Sequence, residues 1–409
     1  MGTSDEQAAW EAARGWARSG VMALCGHPDG PPVLPSLSMP SKLSAIVSEI
    51  ELRTASWGRP VRVSWEAALA GRAALLGLTR QGTWSPNRTC RVLEAADGEV
   101  VLNLSRPDDV EMVPALTGAE ETDDYWSPVA AAASRSPAEE FVALARLLGL
   151  AAAVPAERAP AAPYRLAGRA NPKVGRADAP WTVVDLSSLW AGPLAARILA
   201  EAGARVVKVE DPSRLDGARR SPEFFSWLHP SSERTERFEF KSSSGRGRLA
   251  ELVDSADVVI EASRPRALEQ IGLSPDQRPG PDGQVWLSIT AHGRSGEARN
   301  WAGFGDDAAI AGGLACSDAD DRTVFCGDAI ADPITGLAGA LAVLRCLDEG
   351  GGQLIDISLS GTAAWFAADD LNGFDPVVKR IERGWALFLG DHSEPIRDRP
   401  GSLRLVVNS

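Results

Sequence analysis

The chain has 409 residues, 44% of them hydrophobic, so at roughly 150 residues per domain it holds two or three domains with real cores rather than a disordered polymer. Its 42 Lys+Arg against 55 Asp+Glu give a formal charge of -13, which repels nucleic acid and anionic membrane surfaces. No apolar run reaches the ~18 residues of a membrane span and the N-terminus lacks a signal-like segment, so the expectation is a soluble, cytoplasmic protein.

The first 150 residues read as α+β. Residues 61–64 suit a strand that runs into an Ala/Leu helix over 65–78. Residues 90–93 and 100–104 flank Asp97-Gly98, a hairpin signal. A helix over 136–148 would start at Ser136-Pro137. Residues 151–180 are rich in Ala, Pro and Arg, lack a sustained period and read as a linker.

From 181 to 365 strands and helices alternate. Strands are predicted at 182–186, 205–209, 257–260, 285–289 and 354–359, with helices over 193–202, from 245 to 253 and over 334–347. This alternation predicts a Rossmann-like, doubly wound parallel α/β domain beside the smaller α+β one, with 366–409 as a C-terminal tail. The segment GVMALCGHPDGPPVLPSLSMPSKLSAIV from Gly20 also parallels AGGLACSDADDRTVFCGDAIADPITGLAG from Ala311, and VRVSWEAALAGRAAL from Val61 parallels LIDISLSGTAAWFAA from Leu354. In this weak repeat Ser41 stands where the second copy has Asp332.

Ligands of open α/β sheets lie beyond the carboxyl ends of the strands. The turn 187–193, with Ser187, Leu189, Trp190 and Ala191, is there and opens a helix whose N–H groups favour anions, although it also reads as an ordinary βα turn. Glu210 closes the second strand about where a ribose-binding acid would lie, but the glycines of a dinucleotide fingerprint are missing. Lys208, Arg219, Arg220, Arg264 and Arg266 fall at strand ends or in the loops after them; together they suit a phosphate-bearing ligand, while any one of them alone reads first as a solvated surface cation. Asp332-Pro333 is an ordinary helix start whose dipole would also keep a nucleophilic carboxylate ionised. His292-Gly293 follows a strand and could reach a site or serve structure alone. The thirteen tryptophans are scattered and read as core and interdomain filling. Five widely spaced cysteines without a C-x-x-C pair, and four histidines, suggest neither a disulfide framework nor a zinc site.

VVDLSSLWAGPLAARILAEAGARVVKVEDPSRLDGARR from Val183, GRGRLAELVDSADVVIEASRPRALEQIGL from Gly245, VWLSITAHGRSG from Val285, GDDAAIAGGL from Gly305, DPITGLAGALAVL from Asp332 and GGGQLIDISL from Gly350 together resemble the class III CoA-transferase (CaiB/BaiF) family, which includes α-methylacyl-CoA racemases. The resemblance covers about 181–365. SGVMALCGHPDGPP and RVLEAADGEVVLNL in the first half resemble later parts of that family, so the pieces stand in permuted or partly duplicated order.

The resemblance implies coenzyme A as substrate, an acyl-CoA donor, a carboxylic acid acceptor, a homodimer and no metal. It assigns Asp332 the role of the attacking aspartate, passing through a mixed anhydride and an aspartyl-CoA thioester. It places Ser187, Leu189, Trp190, Ala191, Lys208, Arg219, Arg220, Arg264, His292 and Gly293 near CoA. Asp306 replaces the racemase histidine, Pro230-Ser231-Ser232-Glu233 replaces an N-R-G-K element, and Ser41 replaces the aspartate in the first copy. A racemase or isomerase of the same fold, or a non-catalytic CoA-binding relative, are the alternatives.

Overall fold

The computed structural model describes residues 4–120, 122–173, 181–230, 234–368, 374–401 and 404–406. A seven-stranded sheet organises the larger part. Its strands are β4 (Tyr164–Gly168), β5 (Thr182–Asp185), β6 (Arg205–Glu210), β7 (Arg234–Arg237), β8 (Val258–Glu261), β9 (Val285–Thr290) and β12 (Gln353–Ser358), in the order β4-β12-β9-β8-β5-β6-β7. Every pairing is parallel except that of β4 with β12. The strands β8 and β9 are buried at every position, as parallel strands covered on both faces must be, which is why VVIE and VWLSIT show no polar alternation.

Helix Ala331–Asp348 is apolar on nearly all sides and runs through the core, packed against helices Ala191–Glu201, Met39–Ser56 and Leu359–Ala367. One apolar cluster contains Trp16, Met39, Trp65, Trp190, Leu287, Ile334 and Phe366, so residues from the beginning of the chain share the core of the parallel-sheet region. A second cluster lies under the small sheet β1 (Cys90–Glu94), β2 (Glu99–Asn103) and β3 (Ala151–Ala153). A two-stranded ribbon, β10 (Cys316–Ser317) and β11 (Thr323–Val324), precedes the core helix.

The predicted central strands are present with ends shifted by one residue at most. The helix expected over 65–78 is Trp65–Leu76, opened by the Ser64 hydroxyl accepting from the Ala67 amide at 3.1 Å. Residues 61–64 form only an isolated bridge, Val63 with Val406, rather than a strand. The helix expected from Ser136 is Ala138–Leu147, and its first amide is capped by Asp97 of the hairpin at 2.7 Å, while Ser136 bonds backward to Ala132. Residues 151–168, read as linker, supply β3 to the small sheet and β4 to the edge of the large one, because backbone pairing rather than an apolar pattern holds them there. The segment read as a tail carries β13 (Val377–Ile381), β14 (Gly384–Leu389) and β15 (His392–Pro395), which pack on helix Ser4–Ser19.

Candidate functional site

Asp332 lies in the first turn of the core helix, half-buried. Its carboxylate accepts from the Gly305 amide, and a Cβ on Gly305 would come within 2.4 Å of Asp332 Oδ2, so only glycine leaves room for this contact. Burial pushes the carboxyl up to about 7, against the pull of Arg72, with Asp328 adding to the rise.

Arg72, on helix Trp65–Leu76, donates to buried Asp328 at 2.9 Å. Its guanidinium covers Trp190 at 5.4 Å and Phe224 at 5.7 Å, linking the turn 187–193 to the turn before Asp332. Neither Arg72 nor Phe224 stood out in the sequence. Both are ordinary within an Ala/Leu helix and a Phe-Phe pair, and only folding joins them to the site.

Two non-glycine residues in the left-handed region stand at the entrances to the two helices, Leu189 with φ 70° and Ala329 with φ 43°. A buried aspartate fixes each one. Asp216 accepts from the Leu189 amide at 2.9 Å, and Asp306 accepts from the Ala329 amide at 2.8 Å. Asp306, which stands where the resemblance expects a racemase histidine, thus helps shape the turn before Asp332. Burial and then Asp328 push its carboxyl well above the carboxylate range. Asp307 beside it accepts from the Phe304 amide and from Asn103 Nδ2, both near 3 Å, which ties the small sheet to the same turn. Burial raises the Asp307 carboxyl to about 7.

The cations divide into two groups. Lys208 is buried between Asp185 at 3.3 Å and Asp216 at 2.9 Å and also donates to the Ser187 carbonyl. Burial alone would discharge it, yet the two carboxylates hold its ammonium above the usual range. Arg219 is clamped on Glu210 at 2.7 and 2.9 Å with its guanidinium over Phe225. Lys208 has no free face for phosphate, whereas Arg219, paired with Glu210, keeps its guanidinium partly exposed.

Arg264 belongs to the second group. It is half-buried, and burial followed by the charges of Arg266, Arg106 and Arg214 depresses its guanidinium. Arg106 comes from the small-sheet region, where Asp109 and the Gly149 carbonyl hold it over the Phe304 ring at 5.7 Å. The sequence singled out Arg264 and Arg266 but missed Arg106 and Arg214. This mutually repelling group adjoins the turn that leads through Gly305 to Asp332. Arg220 is exposed.

Ser187 is buried with its amide and hydroxyl on Asp185. Trp190 and Ala191 are buried at the helix start, whereas Leu189 is exposed. Trp190 Nε1 has no hydrogen-bond partner. His292 is buried edge-on to Trp301 at 5.7 Å, and burial with Arg146 and Arg158 drives it down to about 3, so it is neutral. Gly293 bonds Thr290 at 2.9 Å. Residues 231–233 of the altered N-R-G-K element lie outside the described residues.

Residues 180–382 match the model of CoA-transferase family III. The resemblance to the class III CoA-transferases seen in the sequence therefore holds for this stretch, which contains all of the large sheet except β4, together with the Asp332 helix.

Among curated relatives, the succinyl-CoA–L-malate CoA-transferase alpha subunit of Chloroflexus aurantiacus is 32% identical over 193 residues, 43% of this chain and 45% of the relative. The succinate–glutarate CoA-transferase of Agrobacterium fabrum is 29% identical over 197 residues, 43% of this chain and 49% of the relative. The chain spans about half the length of these relatives. A crystal structure of a CAIB/BAIF family protein from Brucella suis aligns with 25% identity and a TM-score of 0.43, covering 51% of this chain and 64% of that one. Among the described residues no helix is long and apolar enough to cross a membrane.

Proposed function

We propose that this protein transfers CoA from an acyl-CoA to a carboxylic acid, with Asp332 as the nucleophile. The observation that carries the reading is the Asp332 carboxylate itself. It stands at a helix N-terminus inside the family III match and is pushed up to about 7, which makes it more basic than a solvated aspartate and leaves roughly half of it ionised at neutral pH.

In the first step an Asp332 oxygen attacks the thioester carbonyl carbon, the C–S bond breaks, and CoA leaves as thiolate from an acyl-aspartyl anhydride. The thiolate then attacks the aspartyl carbonyl, releasing the donor carboxylate and leaving Asp332 as a CoA thioester. The acceptor carboxylate attacks that thioester and frees CoA thiolate. The thiolate finally takes the acyl group of the new anhydride and restores Asp332. Charge and atoms balance at every step without water or a redox partner.

The dipole at the start of the core helix favours the oxyanions. Arg264, Arg266, Arg214 and Arg106 receive the phosphates of CoA, while Ser187, Leu189, Trp190, Ala191 and His292-Gly293 border its path. Lys208 and Arg219 support the strand ends from beneath. The buried Asp306, bonded to the Ala329 amide where a racemase of this family has a histidine, argues against two-base racemisation. We further propose that the protein acts in the cytosol as a homodimer, which sedimentation of the purified chain tests.

Incubation with an acyl-CoA followed by hydroxylamine should convert Asp332 to its hydroxamate, seen by peptide mass spectrometry. Full CoA transfer by Asp332→Ala, or exchange of the acyl α-hydrogen with solvent deuterium in place of transfer, would overturn the reading.

A further inference from the structure

Three of the five cysteines meet. Cys25, Cys316 and Cys326 are buried with their sulfurs all within 4.8 Å of one another, the one group of potential metal ligands of this kind among the described residues. None is in a disulfide. They come from three segments, the loop after Val21–Leu24, β10 and the turn that leads from β11 to Asp332.

Apolar packing accounts for isolated buried cysteines such as Cys90 and Cys346. It does not require three sulfurs to converge. Cys25 and Cys326 share a local design, each followed by a glycine in the left-handed region, Gly26 at φ 100° and Gly327 at φ 78°. The Cys25 sulfur lies against the other two sulfurs and the Gly327 amide, and it donates to the Val21 carbonyl at 3.3 Å. Amides aimed at sulfur are the outer partners that thiolate metal ligands use. A cation stands nearby as well, because Arg80 donates its amide to the Ala23 carbonyl at 3.1 Å and its guanidinium to the His27 carbonyl at 2.7 Å and the Gly30 carbonyl at 2.9 Å, around the loop that carries Cys25. Cys316 also lines a groove of about 570 Å³ with Pro31–Leu37, which offers a path from solvent.

We propose that Cys25, Cys316 and Cys326 bind one thiophilic d10 cation, zinc(II) or copper(I), as a structural clasp. Each thiol gives its proton to water as its metal–sulfur bond forms. Three thiolates leave a complex of charge -1 with zinc(II) or -2 with copper(I), which Arg80 offsets. Soft, all-thiolate donor sets select these ions over magnesium or calcium.

The clasp joins the first of the two related segments to the second, since Cys25 and Cys316 correspond in the repeat, as do His27 and Asp318, which pair at 2.9 Å. Through Cys326 and Gly327 it also fixes the turn that carries Asp328 and Asp332. The metal takes no part in the chemistry proposed above, and the clasp does not rest on that reading.

The test uses the reduced, metal-stripped full chain. Cadmium(II) should give thiolate-to-metal charge-transfer absorption that saturates at one ion per chain and shields three of the five thiols from a thiol reagent. Zinc(II) or copper(I) should displace the cadmium, and whichever competes at the lower free concentration identifies the ion. Metal should raise the melting temperature in proportion to binding. Cys25→Ser and Cys326→Ser should each weaken cadmium binding by at least about a hundredfold, because even an outer partner of a metal ligand is worth 10–100-fold. Cys346→Ser should bind as the parent does. A folded parent chain that takes up none of the three ions, undiminished binding by Cys25→Ser, or a purified chain two mass units light from a disulfide would overturn the proposal.

Discussion

The helices Met39–Ser56 and Ala331–Asp348 start late in the two related segments, which begin at Gly20 and Ala311, and pack against each other, yet they bury different things. Both have a proline in the first turn. At the start of the first, Ser41 is exposed and its hydroxyl donates to the Ser38 carbonyl at 2.7 Å, a local bond that any surface helix could make. At the start of the second, Asp332 faces Gly305, and Arg72, Asp306 and Asp328 organise the turn before it. One pattern therefore yields a plain helix start in one place and a tuned carboxylate in the other. The difference is supplied by residues far away in sequence, including Arg72 from the first half.

The sharpest break of this comparison is also the largest expected effect. Asp332→Ala should lower CoA transfer by about 10⁴-fold or more, the usual scale for losing a covalent nucleophile. Ser41→Ala should leave the rate unchanged, and Ser41→Asp should not create a second transferring site, because position 41 lacks the neighbours that raise Asp332. Steady-state exchange of labelled CoA measures all three. A residual rate in Asp332→Ala that Ser41→Ala abolishes would make the first segment a second active site.

The two halves also divide the arginines. Arg264→Ala should raise KM for the CoA ester about tenfold with kcat little changed, the loss of one charge-assisted phosphate contact. Arg106→Gln, in the small-sheet region, should act in the same direction, and both effects should shrink as salt screens the group. A KM untouched by Arg106→Gln would confine CoA to the second half.

Much of the large sheet was legible because fully buried parallel strands and apolar helices write long, unambiguous runs. The edges were not. β4 and β7 have mostly exposed side chains and are held by backbone pairing, which leaves no periodic trace. The sequence singled out Asp332 and Arg264, where local motif and strand-end position coincide, and both keep their place in the proposed site. Lys208 and Arg219 show the limit of that logic, since a cation at a strand end can equally be consumed by Asp185, Asp216 or Glu210, and only the folded distances decide. The three cysteines were illegible for the opposite reason, because their spacing along the chain says nothing about their separation in space.

The raised Asp332 carboxyl gives a signed pH dependence. Transfer requires the ionised form, so kcat/KM should rise with pH through about 7 and level off above. Stability runs the other way. The unfolded aspartate titrates near 3.9 and the folded one near 7, so between these pH values the folded state holds the extra proton, and stability is lost as pH rises through that window. Asp332→Asn should therefore be more stable than the parent above neutrality and gain nothing below about pH 4. Three pH units set an upper bound of about 4 kcal/mol, and water at this half-buried group reduces the expectation to about 1–2 kcal/mol. Urea melts at pH 4 and pH 8 measure it, and an equal gain at both would show that the effect is packing rather than charge.

The smallest effect compares the halves on equal terms. Ser64 and Ser358 each cap a following helix by accepting an amide three residues on, Ala67 at 3.1 Å and Gly361 at 3.2 Å. Replacing either by alanine should cost about 1 kcal/mol. Ser64 also donates to Glu66 at 2.7 Å and is only half-buried. Ser358 is buried at the end of β12, where an uncapped Gly361 amide has less access to water. Ser358→Ala should therefore lie above 1 kcal/mol and Ser64→Ala below it, and chemical denaturation of the two variants reads the order directly. An inverted order would mean that the first helix, which carries Arg72 toward Asp328, depends on its cap more than the helix behind the central sheet does.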